Sequence, residues 1–400
     1  MIKPRKKILF FIATLFQGGA ERLISDLSFA FEDFEVVIVI SENKVSYPYK
    51  GKLIVLGVPF PQNPVLKVYN YFVRFIKLRK VVVEEKPDYV VSFGAFANVF
   101  NVFLPSKVIL HTDSFYSMRN DAWGVLLKLF ARFFYNRAET VVPMSFCAAS
   151  DLAENYGVLK EKLRVIYNPL NLERIRKMTD EPLGEDEQEV FSHPVVVTAG
   201  RLTEQKGHGH VVSAFKKFKE FAPDAKLVIL GEGEYERDLR ELARTLGVEK
   251  DIHFLGWQDN PFRYFKKADM FVFASHWEGL PAALLEALAC GVPVISADCK
   301  SGPREILAPS SDILKQTKEM ELAEFGVLVP TMSPETAFTE DLTLEESNLA
   351  YAMALLYRDL SWKKRLSQKG QKRAEDFDIK RILKDWKLLF GYDTLGNTKP

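Results

Sequence analysis

Cysteine is scarce in this sequence, with only Cys147, Cys290 and Cys299 among 400 residues. Three thiols leave an odd one out of any disulfide framework, and their spacing fits no metal-ligand motif, so a reducing, cytoplasmic compartment is expected. Long hydrophobic runs are missing too: none reaches the roughly eighteen uninterrupted apolar residues of a spanning helix. Any membrane contact is therefore expected to be peripheral. Residues 1–7 are basic, but the apolar segment after them is short, runs into Gln17-Gly18-Gly19 and lacks a small-residue cleavage site, so it does not read as a signal peptide. Net charge is nearly absent at +1, and no nucleic-acid partner is expected.

What is present is length and an apolar content of 47%, which together point to a folded chain of two domains rather than one. The near-zero charge hides an asymmetry. Residues 1–170 hold 22 Lys/Arg against 15 Asp/Glu, a balance of +7, and the remainder holds 32 against 38, a balance of −6. Short apolar runs alternate with helical segments from end to end. Strands are expected at 8–13, 36–40, 53–56, 89–92, 108–110, 140–142 and 163–167 in the first half, and at 194–200, 226–233, 252–256, 270–275, 291–296 and 326–330 in the second. That alternation is the pattern of doubly wound parallel sheets.

The most informative stretch is Met270-Phe-Val-Phe-Ala-Ser275 with the loop and helix beyond it. The run reads as a strand covered on both faces, so its carboxyl end should open into a crevice. Gly279 permits close backbone approach, Pro281 suits a first helical position, and residues 282–289 read as a helix that Gly291 ends. The N–H groups at such a helix start favour an anion such as phosphate. Glu278 lies before the helix and Glu286 about a turn and a half inside it, a pair suited to sugar hydroxyls.

Glu278-x7-Glu286, with Gly279 and Pro281 after the first Glu, resembles the signature of the family-4 retaining glycosyltransferases. The resemblance implies an α/β architecture of the GT-B type, two doubly wound parallel-sheet, Rossmann-like domains facing a cleft. It extends to Gly200-Arg201-Leu followed by Lys206-Gly207. An Arg and a Lys five residues apart on a strand-to-helix turn can together neutralise a diphosphate. In the first half it is looser, covering the turn Gln17-Gly18-Gly19 and His111 at the end of a strand. Domains are accordingly expected at 1–170 (acceptor side, with 376–400 packing back onto it) and 194–375 (nucleotide-sugar donor side), joined by a polar, acidic linker at 171–193.

By the same resemblance, Arg201 and Lys206 would hold the diphosphate and Glu286 the ribose diol. Glu278 with Gly279, Leu280 and Pro281 would hold the transferred sugar, Gly18 and Gly19 would approach substrate, and Glu278 and His111 would stand nearest the chemistry. The implied partners are a nucleotide-sugar donor, UDP-hexose or UDP-N-acetylhexosamine before GDP-sugar, and a glycan or lipid-linked saccharide acceptor, with no cofactor. Asp376-Phe-Asp378 has the form of a metal motif but falls between helices, where an aspartate cap is expected, so no metal is assigned. Two segments, 65–85 and 123–135, interleave Lys and Arg with aromatic residues. They suit the surface of an anionic membrane, at the inner face of the cell membrane, or else simple sheet cover. A sugar-nucleotide epimerase of similar fold and a non-catalytic nucleotide-sugar binding subunit remain alternatives. A dehydrogenase would need the G-x-G-x-x-G fingerprint that is missing after the first strand.

Overall fold

Runs of Val, Ile, Leu and Phe without polar alternation cannot leave either face in water, and here nearly all of them become strands of two largely parallel sheets, the most apolar of them at inner positions. The computed structural model describes residues 5–16, 18–61, 63–113, 115–118, 122–339 and 341–392, apart from the side chains of Pro64, Met118, Ala122 and Trp123. Gln17, the 393–400 portion of the C-terminal segment and the indole of Trp123 thus lie outside the described residues. The chain divides into two units, Met1–Pro169 with Ile379–Pro400, and Leu170–Asp378.

The first unit is built on strands β1 (Lys7–Ile12), β2 (Glu35–Ile40), β3 (Lys52–Val55), β4 (Tyr89–Phe93), β5 (Lys107–Thr112) and β6 (Thr140–Pro143). They lie in the order β3-β2-β1-β4-β5-β6, every neighbouring pair parallel. The helix Pro64–Glu85 starts where the Asn63 side chain accepts from the Val65 and Leu66 N–H groups. Residues 163–167, expected as a strand, contribute only an isolated bridge from Leu163 to Val141. Pro143 at the end of β6 has no N–H to return, so the ladder stops. The helix Ile379–Leu389 closes the core of this unit. Trp386 and the following Phe390 are buried with Phe31, Phe34 and Tyr89, and burying each such side chain is worth about 1.5–3 kcal/mol.

The second unit continues with β7 (Val195–Ala199), β8 (Lys226–Leu230), β9 (Ile252–Phe254), β10 (Met270–Phe273), β11 (Val294–Ala297), β12 (Glu321–Leu322) and β13 (Val327–Val329). Their order is β12-β13-β11-β10-β7-β8-β9, parallel but for the short antiparallel edge β12. The order therefore reverses between β7 and β10, and ligands of such sheets bind outside the carboxyl ends at that reversal. The stretch 171–193, expected as a linker, instead carries the helices Leu172–Thr179 and Glu185–Val190 as part of this unit. Only Leu172, Ile175 and Leu183 are buried there, too few to show as an apolar period in an acidic stretch, and polar contacts complete its anchoring. Glu187 takes Arg263 at 3.2 Å and the Tyr264 hydroxyl, and Asn260 donates to Met178 O at 2.8 Å. Among the described residues no helix is long and apolar enough to cross a membrane.

Candidate active site

Because β7 and β10 are neighbours, the loops that leave their carboxyl ends meet although they are about seventy residues apart in sequence. The turn after β7 ends on Gly207 in the left-handed region, φ 60°, where a Cβ would stand 2.2 Å from Ala274 O. Only glycine lets the two loops approach this closely. The consequence is an ion pair: Lys206 Nζ donates to Glu278 Oε1 at 2.6 Å, with the two side chains 17% and 8% exposed. The same seam is sewn by backbone, since His276 N–H donates to Gln205 O at 2.9 Å and Gln205 Nε2 donates to Trp277 O at 2.8 Å. Removing one partner of a pair this buried leaves an uncompensated charge, at a cost of about 3–5 kcal/mol. Arg201 is exposed, one residue past the glycine that follows β7.

Beyond Glu278 the chain turns into the helix Ala282–Cys290. Pro281 is its cap rather than its first helical residue, one position earlier than expected, and Gly291 ends it at φ 77°. Leu280 and Pro281 are buried, and Glu286 is half-buried in the second turn of the helix. Gly279 O accepts from the Ser301 hydroxyl at 2.6 Å, and Ser301 itself holds φ 67°, a conformation that a residue with a Cβ adopts only at a cost. Lys206, Glu278, Gly279, Leu280, Pro281 and Glu286 thus share one end of the second sheet, with unpaired N–H groups expected at the helix start. Gln205, His276 and Ser301 were not anticipated. All three lie in stretches that stand out in the sequence, but the role of each went unmarked because each acts on a loop that is distant in sequence.

His208, the first residue of the helix His208–Phe218, is buried next to this turn. Burial, with a smaller contribution from the Lys206 charge, pushes its pKa down to about 4. Its Nδ1 lies 3.4 Å from Thr198 Oγ1.

In the first unit, Gly18 and Gly19 open the helix Gly19–Ala30 at the end of β1. Gly18 has an extended backbone, and a Cβ on Gly19 would meet nothing within 4 Å. His111 was expected to project into a crevice, but it is 1% exposed, its ring 5.0 Å from that of Phe93 and stacked on Trp386 at 6.2 Å. The returning C-terminal helix covers the face of β5 on which it lies. Burial pushes its pKa down to about 4. Asn168 opposes that shift without reaching hydrogen-bonding geometry, so neither ring nitrogen has a partner. Asp113, beyond the end of β5, faces Gly94, where a Cβ would stand 3.0 Å from its Oδ2. It also helps to hold the partly buried Glu21 carboxyl above its usual range, burial being the larger cause.

Two family models match the chain, the one described as Glycosyltransferase Family 4 over residues 17–174 and the one described as Glycosyl transferases group 1 over residues 184–324. An uncharacterized glycosyltransferase of Methanocaldococcus jannaschii is 34% identical over 346 residues, covering 82% of this chain and 85% of that protein. The chain belongs to the family-4 glycosyltransferases.

A second relative of this glycosyltransferase, 27% identical over 95% of this chain and 98% of its own, is from Campylobacter jejuni. It is named as an N-acetylgalactosamine-N,N'-diacetylbacillosaminyl-diphospho-undecaprenol 4-alpha-N-acetylgalactosaminyltransferase. Among solved structures, Anabaena HepE in complex with UDP-glucose superposes with a TM-score of 0.73 at 17% identity, over 96% of this chain and 99% of that one. The fold is GT-B, each unit supplying one of its two parallel-sheet α/β domains. In this glycosyltransferase Asp376 of the D-x-D is paired with Arg373 at 2.7 Å, and among the described residues no three His, Cys, Asp or Glu side chains are grouped as a metal site requires.

Proposed function

We propose that this glycosyltransferase moves a hexose or N-acetylhexosamine from a UDP-sugar to a glycan or lipid-linked saccharide, with retention of the α configuration. The observation that carries the reading is the Lys206–Glu278 pair at the reversal point of the second sheet, beside the start of the helix Ala282–Cys290. Arg201 and Lys206 would take the diphosphate, whose negative charge grows as the glycosyl bond breaks. Fixed cations and a helix end stabilise such charge without reorganising. Glu286 would accept from the ribose diol. Glu278, with the backbone of Gly279, Leu280 and Pro281, would hold the sugar, exchanging part of its hold on Lys206 for sugar hydroxyls. Gly18, Gly19 and His111 belong to the acceptor-side unit, and the buried, neutral imidazole of His111 suits a supporting role better than proton transfer with solvent.

A lipid-linked acceptor is supported by the outer surface of the first unit. On the helix Pro64–Glu85, Val65, Leu66, Val68, Tyr69, Phe72 and Ile76 are exposed among Lys67, Arg79 and Lys80, and Val125, Leu126, Leu129 and Phe133 are exposed on the helix Ala122–Phe134. Apolar side chains interleaved with basic ones fit an anionic membrane surface at its headgroup level. The undecaprenyl-linked substrate in the Campylobacter relative's name is of the same class. The test is calorimetric titration with UDP and GDP, followed by release of the nucleotide from a panel of UDP- and GDP-sugars with short-chain polyprenyl diphosphosaccharide acceptors. NMR then gives the anomeric configuration of the product. An inverted product, or no UDP binding, overturns the reading.

A further inference from the structure

Three buried side chains of the second unit, His276, His210 and Glu346, take no part in that reading, yet they lead one to the next onto the loop that carries Glu278. His276 stands two residues before Glu278 and is 6% exposed, and its Nδ1 lies 3.1 Å from Met332 O, in the loop after β13. A carbonyl only accepts, so Nδ1 carries the proton. Burial, with His210 adding to it, pushes the His276 pKa down to about 4, so the ring is neutral near pH 7 and its tautomer is the Nδ1–H form. The ring of His210 meets His276 edge to face at 5.2 Å. His210 Nδ1 in turn lies 2.8 Å from Glu346 Oε1, both side chains being fully buried, and Glu346 Oε2 accepts from Thr343 N–H at 2.8 Å, capping the helix Leu344–Arg358. His210 follows Lys206 by four residues in the turn and helix that Lys206 leads into.

Each imidazole is therefore tied to one member of the Lys206–Glu278 pair, and the two imidazoles touch each other. We propose that the buried His276–His210–Glu346 chain is a positioning device that fixes the Glu278 loop against the Lys206 turn for sugar transfer. The inference rests on the donor-site reading above. His276 touches no substrate; it acts through Glu278. Its hydrogen bond to Met332 O ties the 275–278 segment to the loop after β13, a second anchor besides the Gln205 contacts, so that without it Glu278 keeps its chemistry and loses its registry. Reacting groups displaced by about an ångström lose on the order of a hundredfold in rate, whereas the nucleotide, held by Arg201, Lys206 and Glu286 rather than by Glu278, keeps most of its affinity.

The experiment compares His276→Asn, whose amide nitrogen stands where Nδ1 stands, with His276→Gln, whose amide nitrogen stands where Nε2 stands. Both are polar and of similar bulk, so folding is disturbed to a similar degree. UDP affinity is read by calorimetry, turnover by UDP release from the UDP-sugar that the wild type accepts, and the wild-type His276 tautomer by long-range proton–nitrogen NMR. The expected result is an Nδ1–H tautomer, turnover of the Asn variant within about threefold of wild type, turnover of the Gln variant down by roughly tenfold to a hundredfold, and UDP affinity within about threefold in both. Equal turnover in the two variants, or an Nε2–H tautomer, overturns the role of His276. A wild type that neither binds UDP nor releases it from any UDP-sugar overturns the donor-site reading instead, and the tautomer measurement still judges the His276–Met332 bond.

Discussion

The two units share one architecture and use it differently. In the second, the loops at the sheet reversal carry paired charges and are braced by buried polar side chains: Lys206 on Glu278, Gln205 on Trp277, His210 on Glu346. In the first, the corresponding end of the sheet holds a histidine with no hydrogen-bond partner inside an aromatic core, and apolar side chains stand exposed on outer helices. A doubly wound sheet supplies only the place for a site. Whether that place carries paired charges or an aromatic core depends on which side chains are buried there with partners.

The largest effect that would sharpen this contrast is expected on acidification. His208 and His276 in the second unit and His111 in the first hold pKa values of about 4 when folded, against 6.5 ordinarily. Between those values the unfolded chain binds protons that the folded chain does not. The stability these groups contribute is therefore complete above about pH 6.5 and is lost as pH falls toward 4, by about 3 kcal/mol per histidine. With two such histidines against one, the sheet of the second unit should lose hydrogen-exchange protection first as pH drops from 7 to 4.5. If the first unit opens earlier, the polar bracing of the second is not its acid-sensitive part.

Next in size is the ion pair. Glu278→Gln should lower turnover by about 10²–10³-fold, the size expected for losing one electrostatic contact to the reacting centre. Lys206→Ala should weaken UDP binding by about 1.5–3 kcal/mol, as loss of a charge-assisted hydrogen bond does. Steady-state kinetics and calorimetry check both, and unchanged UDP affinity in Lys206→Ala would remove the diphosphate from that turn.

The glycine turns provide a smaller and more direct comparison. Gly207→Ala forces a Cβ at φ 60° to within 2.2 Å of Ala274 O, and the backbone conformation alone should cost about 1–3 kcal/mol. Gly19→Ala has open space around it at a helix start and should change stability by less than about 0.5 kcal/mol. Urea midpoints measure both. A large loss of stability in Gly19→Ala would mean that the first unit's turn is as tightly constrained as the second's.

The smallest expected effect is on the apolar face. The double variant Phe72→Ser, Ile76→Ser should weaken co-sedimentation with anionic vesicles by roughly 1–2 kcal/mol, less than the full transfer value of two side chains because insertion is shallow. Wild-type binding itself should fall as salt rises. Equal binding of variant and wild type would make this helix ordinary sheet cover.

Much of this was legible from sequence. The runs 8–13, 36–40 and 270–275 read as covered strands, because unbroken apolar residues leave no face for water, and the turn 200–207 and the helix expected at 282–289 announced themselves through glycine, proline and charge. The Glu278 to Glu286 spacing and the Arg201 to Lys206 spacing needed no structure to be noticed, since each is local. What the tertiary structure alone decided is adjacency. β7 lies against β10, which brings Lys206 to Glu278. The helix Leu344–Arg358 brings Glu346 to His210 across 136 positions, and the final helix lays Trp386 over His111. Parallel strands pair through long crossovers, so their order is set by which buried faces fit together and leaves no mark in local spacing. For that reason the sequence names the charged groups of the second unit, but cannot say which of them are held together, or that a histidine at the end of a strand is buried under a tryptophan 275 positions away.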